Sequence, residues 1–480
     1  MNYRPVLAIL GIILVFVGLF MIFPILFSIY YGEDDLHALV LSMIITLTVG
    51  AALWGLFRKH RDIRIRESYA IVTFSWVVAA GFGALPFVIS GYIPSYTNAF
   101  FETMSGFTTT GASILADIER LPHGLLFWRS LTHWLGGMGI IVLSLAILPL
   151  LGIGGMQLFK AEIPGPVAEK LTPRIQQTAK MLWIVYALIS LAETVLLLAG
   201  GMSLFEALCH TFGTMATGGF SPKNSSIAYY DSAFIQYVII FFMVVAGSNF
   251  ALHYHALKGN FKVYWQNEEF RFYVGIMSVF VVLLTLDNLF TIYPHLWLSL
   301  RHSMFQVVSI TTTTGFVTAD YEKWSSTAQF ILLFLMFIGG SAGSTGGSIK
   351  ILRVMILLKQ GYAEVRHLLH PRAVIPVRIN RRVVPPNVII NVLGFTFLYI
   401  SIFVAASIVM TLLDLDLITA FASVAATLGN IGPGLGLVGP TDHYAHIPTI
   451  GKWILSFCML AGRLEIYTVV VLFTREFWKK

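Results

Sequence analysis

Charge is scarce in this sequence. Asp, Glu, Lys and Arg make up only 11% of its 480 residues, against 57% hydrophobic ones, and mean hydropathy is +0.79. So few polar groups cannot cover a soluble globule of this size, which excludes a water-soluble fold. Cysteine is almost missing too. Cys209 and Cys458 both sit in apolar segments, with neither metal-ligand spacing nor the context of a disulfide framework. A nucleophile elbow on a strand-to-helix turn and an HExxH helix are both lacking, which makes a polytopic membrane enzyme a remote alternative and no enzyme activity the expectation.

Acidic residues are the rarer sign, 24 against 31 Lys and Arg, for a formal net charge of +7. The basic residues fall between hydrophobic runs instead of on one polar face, so they report topology and not nucleic-acid binding. They cluster at 58–66 (RKHRDIRIR), 160–180, 258–271 and 350–382, with Lys479 and Lys480 at the end. By the positive-inside rule these segments are cytoplasmic, while the acidic YGEDDLH between the first two spans suits the opposite side. With the N-terminus inside, every alternate loop agrees, and both termini are expected in the cytoplasm.

In place of charge there are apolar runs of about 20 residues, the length needed to cross a ~30 Å hydrocarbon core. VLAILGIILVFVGLFMIFPILF (6–27) and HALVLSMIITLTVGAALWGLF (37–57) read as two leading spans. The first is too long, and too closely followed by the second, to be a cleaved signal. After them one unit recurs four times: a long span, a stretch of about a dozen apolar residues ending in Thr and Gly, and a second long span. The long spans fall near 69–90 and 126–151, 181–201 and 233–256, 271–293 and 326–358, and 387–412 and 448–473. A stretch of about a dozen residues is too short to span. Both of its flanking loops are basic, so it must enter and leave on the outer face. The expected fold class is an all-α polytopic membrane protein, with four channel-like M1-P-M2 repeats around one pore plus two N-terminal transmembrane helices. The expected boundaries are 1–66 for the leading pair and 67–160, 161–258, 259–370 and 371–480 for the repeats.

The short stretches superpose on one glycine each: SGFTTTGAS on Gly111, GTMATGGFS on Gly219, ITTTTGFVT on Gly315 and TLGNIGPGL on Gly432. Twelve residues earlier, Ala99-Phe100, Ala207-Leu208, Ser303-Met304 and Ala420-Phe421 align as small-then-bulky pairs. A dehydrated potassium ion needs its water shell replaced by several oxygens, and backbone carbonyls supply them without a trapping charge. Glycine permits the left-handed angles that turn carbonyls inward. The expected filter, holding potassium as transported ion, is therefore Thr109, Thr110, Gly111, Gly218, Gly219, Thr313, Thr314, Gly315, Asn430, Ile431 and Gly432. Its threonines either add hydroxyl contacts or pack behind the strand, and short-helix C-termini aimed at the cavity add negative potential. Gly and Thr also serve close helix packing in membranes. Four matched occurrences after non-spanning stretches favour the filter, although in the fourth LGNIGPG replaces the Thr-rich run.

These features resemble the TrkH/TrkG/KtrB superfamily of potassium transporters. The resemblance covers essentially the whole chain, and the two extra N-terminal spans are similar to TrkH-type members in particular. It implies a homodimer with one pore per protomer, a bacterial inner-membrane location among membrane lipids, and a cytosolic TrkA-type regulatory partner. Nucleotide (NAD or ATP) is then expected on that partner, with no cofactor on this chain. Glycine in all four filters is similar to the potassium-selective members. The implied activity is gated, channel-like potassium uptake. Proton- or sodium-coupled symport is the alternative, for which Glu193 is an isolated intramembrane carboxylate.

In the third repeat the second span is interrupted by IGGSAGSTGGSIK (338–350), too rich in Gly and Ser for a helix at mid-membrane. In the family such a loop lies below the filter, so the resemblance implies a gate at Gly339, Gly340, Gly343, Gly346 and Gly347; a packing kink is the alternative. Arg463, in MLAGRLEIYTVV, is expensive inside a span unless it faces water or a partner. Its likeness to the family's GRLE implies that it faces the cavity and repels cations until the gate moves. Glu465, two residues on, lies on another helix face and is a poor partner for it. His133, His210, His253, His255 and His302 are expected as hydrogen-bonded structural residues. LGIGGMQ (151–157) lacks the βαβ context of a nucleotide loop, and the basic segment 350–386 suits docking of a regulatory subunit or anionic lipid headgroups.

Overall fold

The computed structural model describes residues 2–59, 64–139 and 175–479. The expected basic clusters at 58–66 and 160–180, the motif at 151–157, the end of the span at 126–151 and the boundary at 160 lie wholly or partly outside the described residues. Among those described, six helices are long and apolar enough to cross a membrane: Tyr3–Tyr31, Leu36–Phe57, Arg66–Ile89, Lys180–Ala199, Glu268–Thr291 and Pro386–Leu412. Two bent pairs qualify as well if each counts as one span. Leu56, Phe290, Phe397 and Leu412 stand exposed on these helices, as lipid-facing side chains do.

The leading helices cross closely because neither has a side chain at the contact. A Cβ at Gly11 would meet the carbonyl oxygen of Gly50 at 2.7 Å, and one at Gly50 would meet that of Gly11 at 2.8 Å. Small residues at such crossings let backbones pack where no hydrophobic force pulls helices together. The acidic turn between them caps another helix, His123–Trp134: Leu125 N donates to Asp35 Oδ2 at 2.9 Å, and His123 N donates to Glu33 Oε2. Carboxylates satisfy the free N–H groups of that first turn and complement its dipole.

Four short helices share one design: Tyr96–Phe107, Leu204–Met215, Leu296–Thr311 and Leu417–Leu428. Each ends four residues before one of the aligned glycines. Each also closes with the same backbone bond, from Thr110 N to Ser105 O, Gly218 N to Gly213 O, Thr314 N to Ser309 O and Ile431 N to Ala426 O, all at 2.8 Å. Four identical closures fix the register of the fourth stretch on Gly432.

The long segments after these short helices are not continuous, and here two sequence expectations need correction. The span at 233–256 is bent by 104° between Ala233–Ala246 and Phe250–Leu257, and the span at 448–473 by 116° between Thr449–Arg463 and Tyr467–Phe473. In the first, Asn249 caps the second half, its Oδ1 accepting from Ala251 N at 2.8 Å. In the second, Glu465 and Ile466 both take positive φ, +56° and +54°. Helix Ser326–Leu335 stops before the Gly/Ser run and helix Ile351–Leu369 begins after it, so that break lies where the sequence put it. Helix His123–Trp134 passes into a π turn, Leu135–Gly139. Between helices Ile351–Leu369 and Pro386–Leu412, a small antiparallel hairpin pairs Arg378–Ile379 with Arg382–Val383.

Candidate functional site

The four aligned glycines meet in a closed ring. A side chain built at Gly111 would run into the carbonyl oxygen of Gly218, one at Gly219 into that of Thr314, one at Gly315 into that of Ile431, and one at Gly432 into that of Thr110 at 2.7 Å. Each glycine thus abuts the residue immediately before the next glycine, and the circuit returns to its start. All four have positive φ, from +77° to +98°, where L side chains are strained.

Two residues before each glycine the backbone turns left-handed again, at Thr109 (φ 53°), Thr217 (φ 53°), Thr313 (φ 61°) and Asn430 (φ 53°). For a β-branched threonine that conformation costs about 1–3 kcal/mol, and three such residues in one place mark a backbone held against its preference. Asn visits the region more easily, which accounts for the fourth stretch departing from the Thr-rich pattern. The sequence reading omitted Thr217, although its position two before Gly219 was signal enough.

Two of the threonine hydroxyls pair with a neighbouring threonine. Thr110 Oγ1 lies 2.8 Å from Thr108 Oγ1, and Thr314 Oγ1 lies 2.7 Å from Thr312 Oγ1, so these hydroxyls bond to each other. Asn430 Nδ2 donates to Thr110 Oγ1 at 2.9 Å and stitches the fourth segment to the first. Gly218 stands where the first and third segments carry Thr because the imidazole of His133 fills the space: a Cβ there would lie 2.6 Å from the ring. That histidine donates from Nδ1 to Gly106 O (2.7 Å) and stacks on Phe220 with centroids 4.0 Å apart. His210, His253 and His302 are likewise hydrogen-bonded.

The Gly/Ser run sits against the ring's helix ends. Gly347 N donates to Thr313 Oγ1 at 2.7 Å, and Cβ atoms at Gly347 and Gly346 would meet the carbonyl oxygens of Gly429 (2.5 Å) and Thr312 (3.1 Å). Gly339 packs on Gly347 across a bridge between Ile338 and Ile349, and Gly340 packs on Gly247. Gly343, at φ +77°, lies beside Asn249, and its carbonyl accepts from Phe250 N at 3.1 Å. Ser341 N donates to Gly247 O and Thr345 Oγ1 to Met215 O, at 2.8 and 3.1 Å. The letters Gly339-Gly340-Ser341-Ala342-Gly343 do match nucleophile-elbow spacing, but Ser341 Oγ is buried with no base bonded to it.

Arg463 donates to Thr345 O (2.6 Å), Gly136 O (2.7 Å) and Gly137 O (2.9 Å), joining the run to the π turn after the first short helix's partner. Glu465 pairs instead with Arg353, both almost fully buried. Lys350 Nζ reaches back to Gly346 O at 2.6 Å. The run is therefore tied to neighbours of all four short helices, a set of contacts that periodicity could not reveal.

A family model described as TrkH, cation transport protein, matches residues 36–480. The chain is 41% identical over 485 residues to the Trk system potassium uptake protein TrkH of Escherichia coli K12, covering 100% of both. It is 35% identical to TrkG of the same organism, covering 100% of this chain and 99% of that one. The crystal structure of the potassium transporter TrkH from Vibrio parahaemolyticus superposes with a TM-score of 0.90 at 37% identity, with 100% of both chains covered. On these findings the chain belongs to the TrkH family of cation transport proteins.

Proposed function

We propose that this chain takes up potassium through a gated pore whose filter is the glycine ring, conducting passively as a channel does. The carrying observation is the closed circuit of Gly111, Gly219, Gly315 and Gly432 against the carbonyls of Gly218, Thr314, Ile431 and Thr110. Potassium sheds water at such a constriction only if oxygens replace its hydration shell, and neutral carbonyls do so while still letting it leave. The four short helices end at the ring, so the negative ends of their dipoles add to a favourable potential for a cation. Within this reading the chain is four M1-P-M2 units behind two leading helices, with boundaries as given above. The Gly/Ser run and Arg463 form the gate: the run presses on Thr313 and Asn430, and a guanidinium beneath a cation path repels what would pass. The multi-part naming of the relatives as a Trk system supports a separate cytosolic regulatory subunit, which would bind the nucleotide. A homodimer, a bacterial inner membrane and cytoplasmic termini complete the proposal, the last supported by the basic loops.

Coupled symport keeps one observation in its favour, the fully buried carboxylate of Glu193. Purified protein in liposomes distinguishes the two. Potassium and rubidium flux down their own gradients, with no sodium or proton gradient present, is the expected result. Flux that appears only when a sodium or proton gradient is imposed would replace the channel with the symporter.

A further inference from the structure

Nine residues before its ring glycine, every short helix buries a polar side chain: Glu102, His210, Gln306 and Ser423. In three of the four this side chain reaches the segment leaving the ring. His210 Nε2 lies 3.0 Å from Ser221 Oγ, and Gln306 Nε2 donates to Thr318 Oγ1 at 3.5 Å. In the fourth, Ser423 bonds its own helix, and Tyr444 Oη holds the exit instead by donating to Gly432 O at 2.7 Å. The first segment alone uses a charge. Glu102 accepts from Ser113 Oγ at 2.9 Å and from Ile114 N at 2.8 Å, the second and third residues after Gly111.

That charge is paired across to the next segment. Arg129 Nε donates to Glu102 Oε1 at 2.7 Å, with the two side chains 2% and 0% exposed. A second nitrogen of the same guanidinium donates to Ser221 O at 3.0 Å, and its centre lies 3.5 Å from the Phe220 ring centroid. His133, one helical turn further on, stacks on the same ring. One carboxylate and one guanidinium thus fix the exit segments after Gly111 and Gly219 relative to each other. A buried ion pair is a poor route to stability, since hydrophobic replacements often do as well, and is better suited to fixing a register. Neither group is on the ring itself.

We propose that the Glu102–Arg129 pair is a positioning element for ion selectivity, setting the separation of the first and second carbonyl walls so that the ring fits potassium and not sodium. This rests on the filter reading above. Glutamine at 102 would keep the shape but offer one acceptor oxygen to Arg129, Ser113 and Ile114, with its amide N–H₂ facing donors. Arg129→Lys would lose the fork that serves Glu102 and Ser221 together.

The test is the bi-ionic reversal potential, potassium against sodium, of full-length protein in planar bilayers, for wild type, Glu102→Gln, Arg129→Lys and Ser113→Ala. Folding is checked on the same preparations by thermal unfolding and elution profile. For folded Glu102→Gln and Arg129→Lys the expected result is a fall in potassium preference of roughly tenfold, a shift of about 59 mV for a monovalent ion. Ser113→Ala leaves the pair intact and removes one bond to the exit segment, so it should shift the same way by less. A folded Glu102→Gln with wild-type reversal potential overturns the proposal. If Glu102→Gln gives no folded or conducting protein, Ser113→Ala decides: a shift supports the pair's role and an unchanged potential refutes it. Absence of potassium current in wild type would count instead against the filter reading.

Discussion

Gly315→Ala puts the ring under the most defined stress. Gly315 has φ +80°, and a methyl there would lie 2.9 Å from Pro433 Cδ and 3.1 Å from the carbonyl carbon of Ile431, with that carbonyl's oxygen nearer still. Unstrained carbon–oxygen contacts begin near 3.3 Å, so the Ile431 carbonyl must retreat by about an ångström or more. The left-handed backbone adds about 1–3 kcal/mol of strain. If about 1.4 kcal/mol of the combined cost is relieved by opening the ring, potassium preference over sodium falls about tenfold. Gly91→Ala is the matched control: φ is +79°, yet nothing lies within 4 Å of the added carbon. Rubidium and sodium uptake into proteoliposomes, measured separately, reads the effect. Folded Gly315→Ala with wild-type discrimination, or an equal loss in Gly91→Ala, would refute the reasoning.

Gly218→Ala should likewise impair transport, because the methyl meets the His133 ring; His133→Ala in the same chain should recover part of the flux, and no recovery would show that the ring is not what glycine makes room for. Arg463→Gln removes charge-assisted bonds to three carbonyls, each worth about 1.5–3 kcal/mol. Potassium leak in the absence of any partner should rise, and a drop at equal protein level would argue against a gate. Glu465→Gln strands the buried Arg353 guanidinium at a cost of about 3–5 kcal/mol. Its Tm in detergent should fall, Arg353→Met in addition should restore part of it, and an unchanged Tm would mean the pair contributes nothing.

The four glycine positions were legible in the sequence because the left-handed backbone each takes is a local requirement, although their closure into a ring is not. A left-handed position with a neighbouring carbonyl in the way admits glycine and little else, and four such positions at matched offsets stand out even where Asn430 and Ile431 replace the threonines. The Gly/Ser break at 338–350 was legible for the same reason. The bend at 464–466 was not: Leu464, Glu465 and Ile466 carry no breaker, and a β-branched Ile466 at φ +54° is a conformation its residue type does not suggest. The bend at 247–249 did leave a trace, Gly247-Ser248-Asn249, which apolar flanks obscured. Contacts between distant segments were beyond any periodicity, so neither the hold of Arg463 on Gly136 and Gly137 nor the seat of His133 against Gly218 could be foreseen.

The most direct test of potassium in the ring is anomalous diffraction from crystals of the full chain grown in rubidium chloride. The account predicts a rubidium peak on the axis of the ring, bounded by the carbonyl oxygens of Thr110, Gly218, Thr314 and Ile431 and lost in crystals grown in sodium chloride. Rubidium found elsewhere in the protein with none at the ring would contradict it.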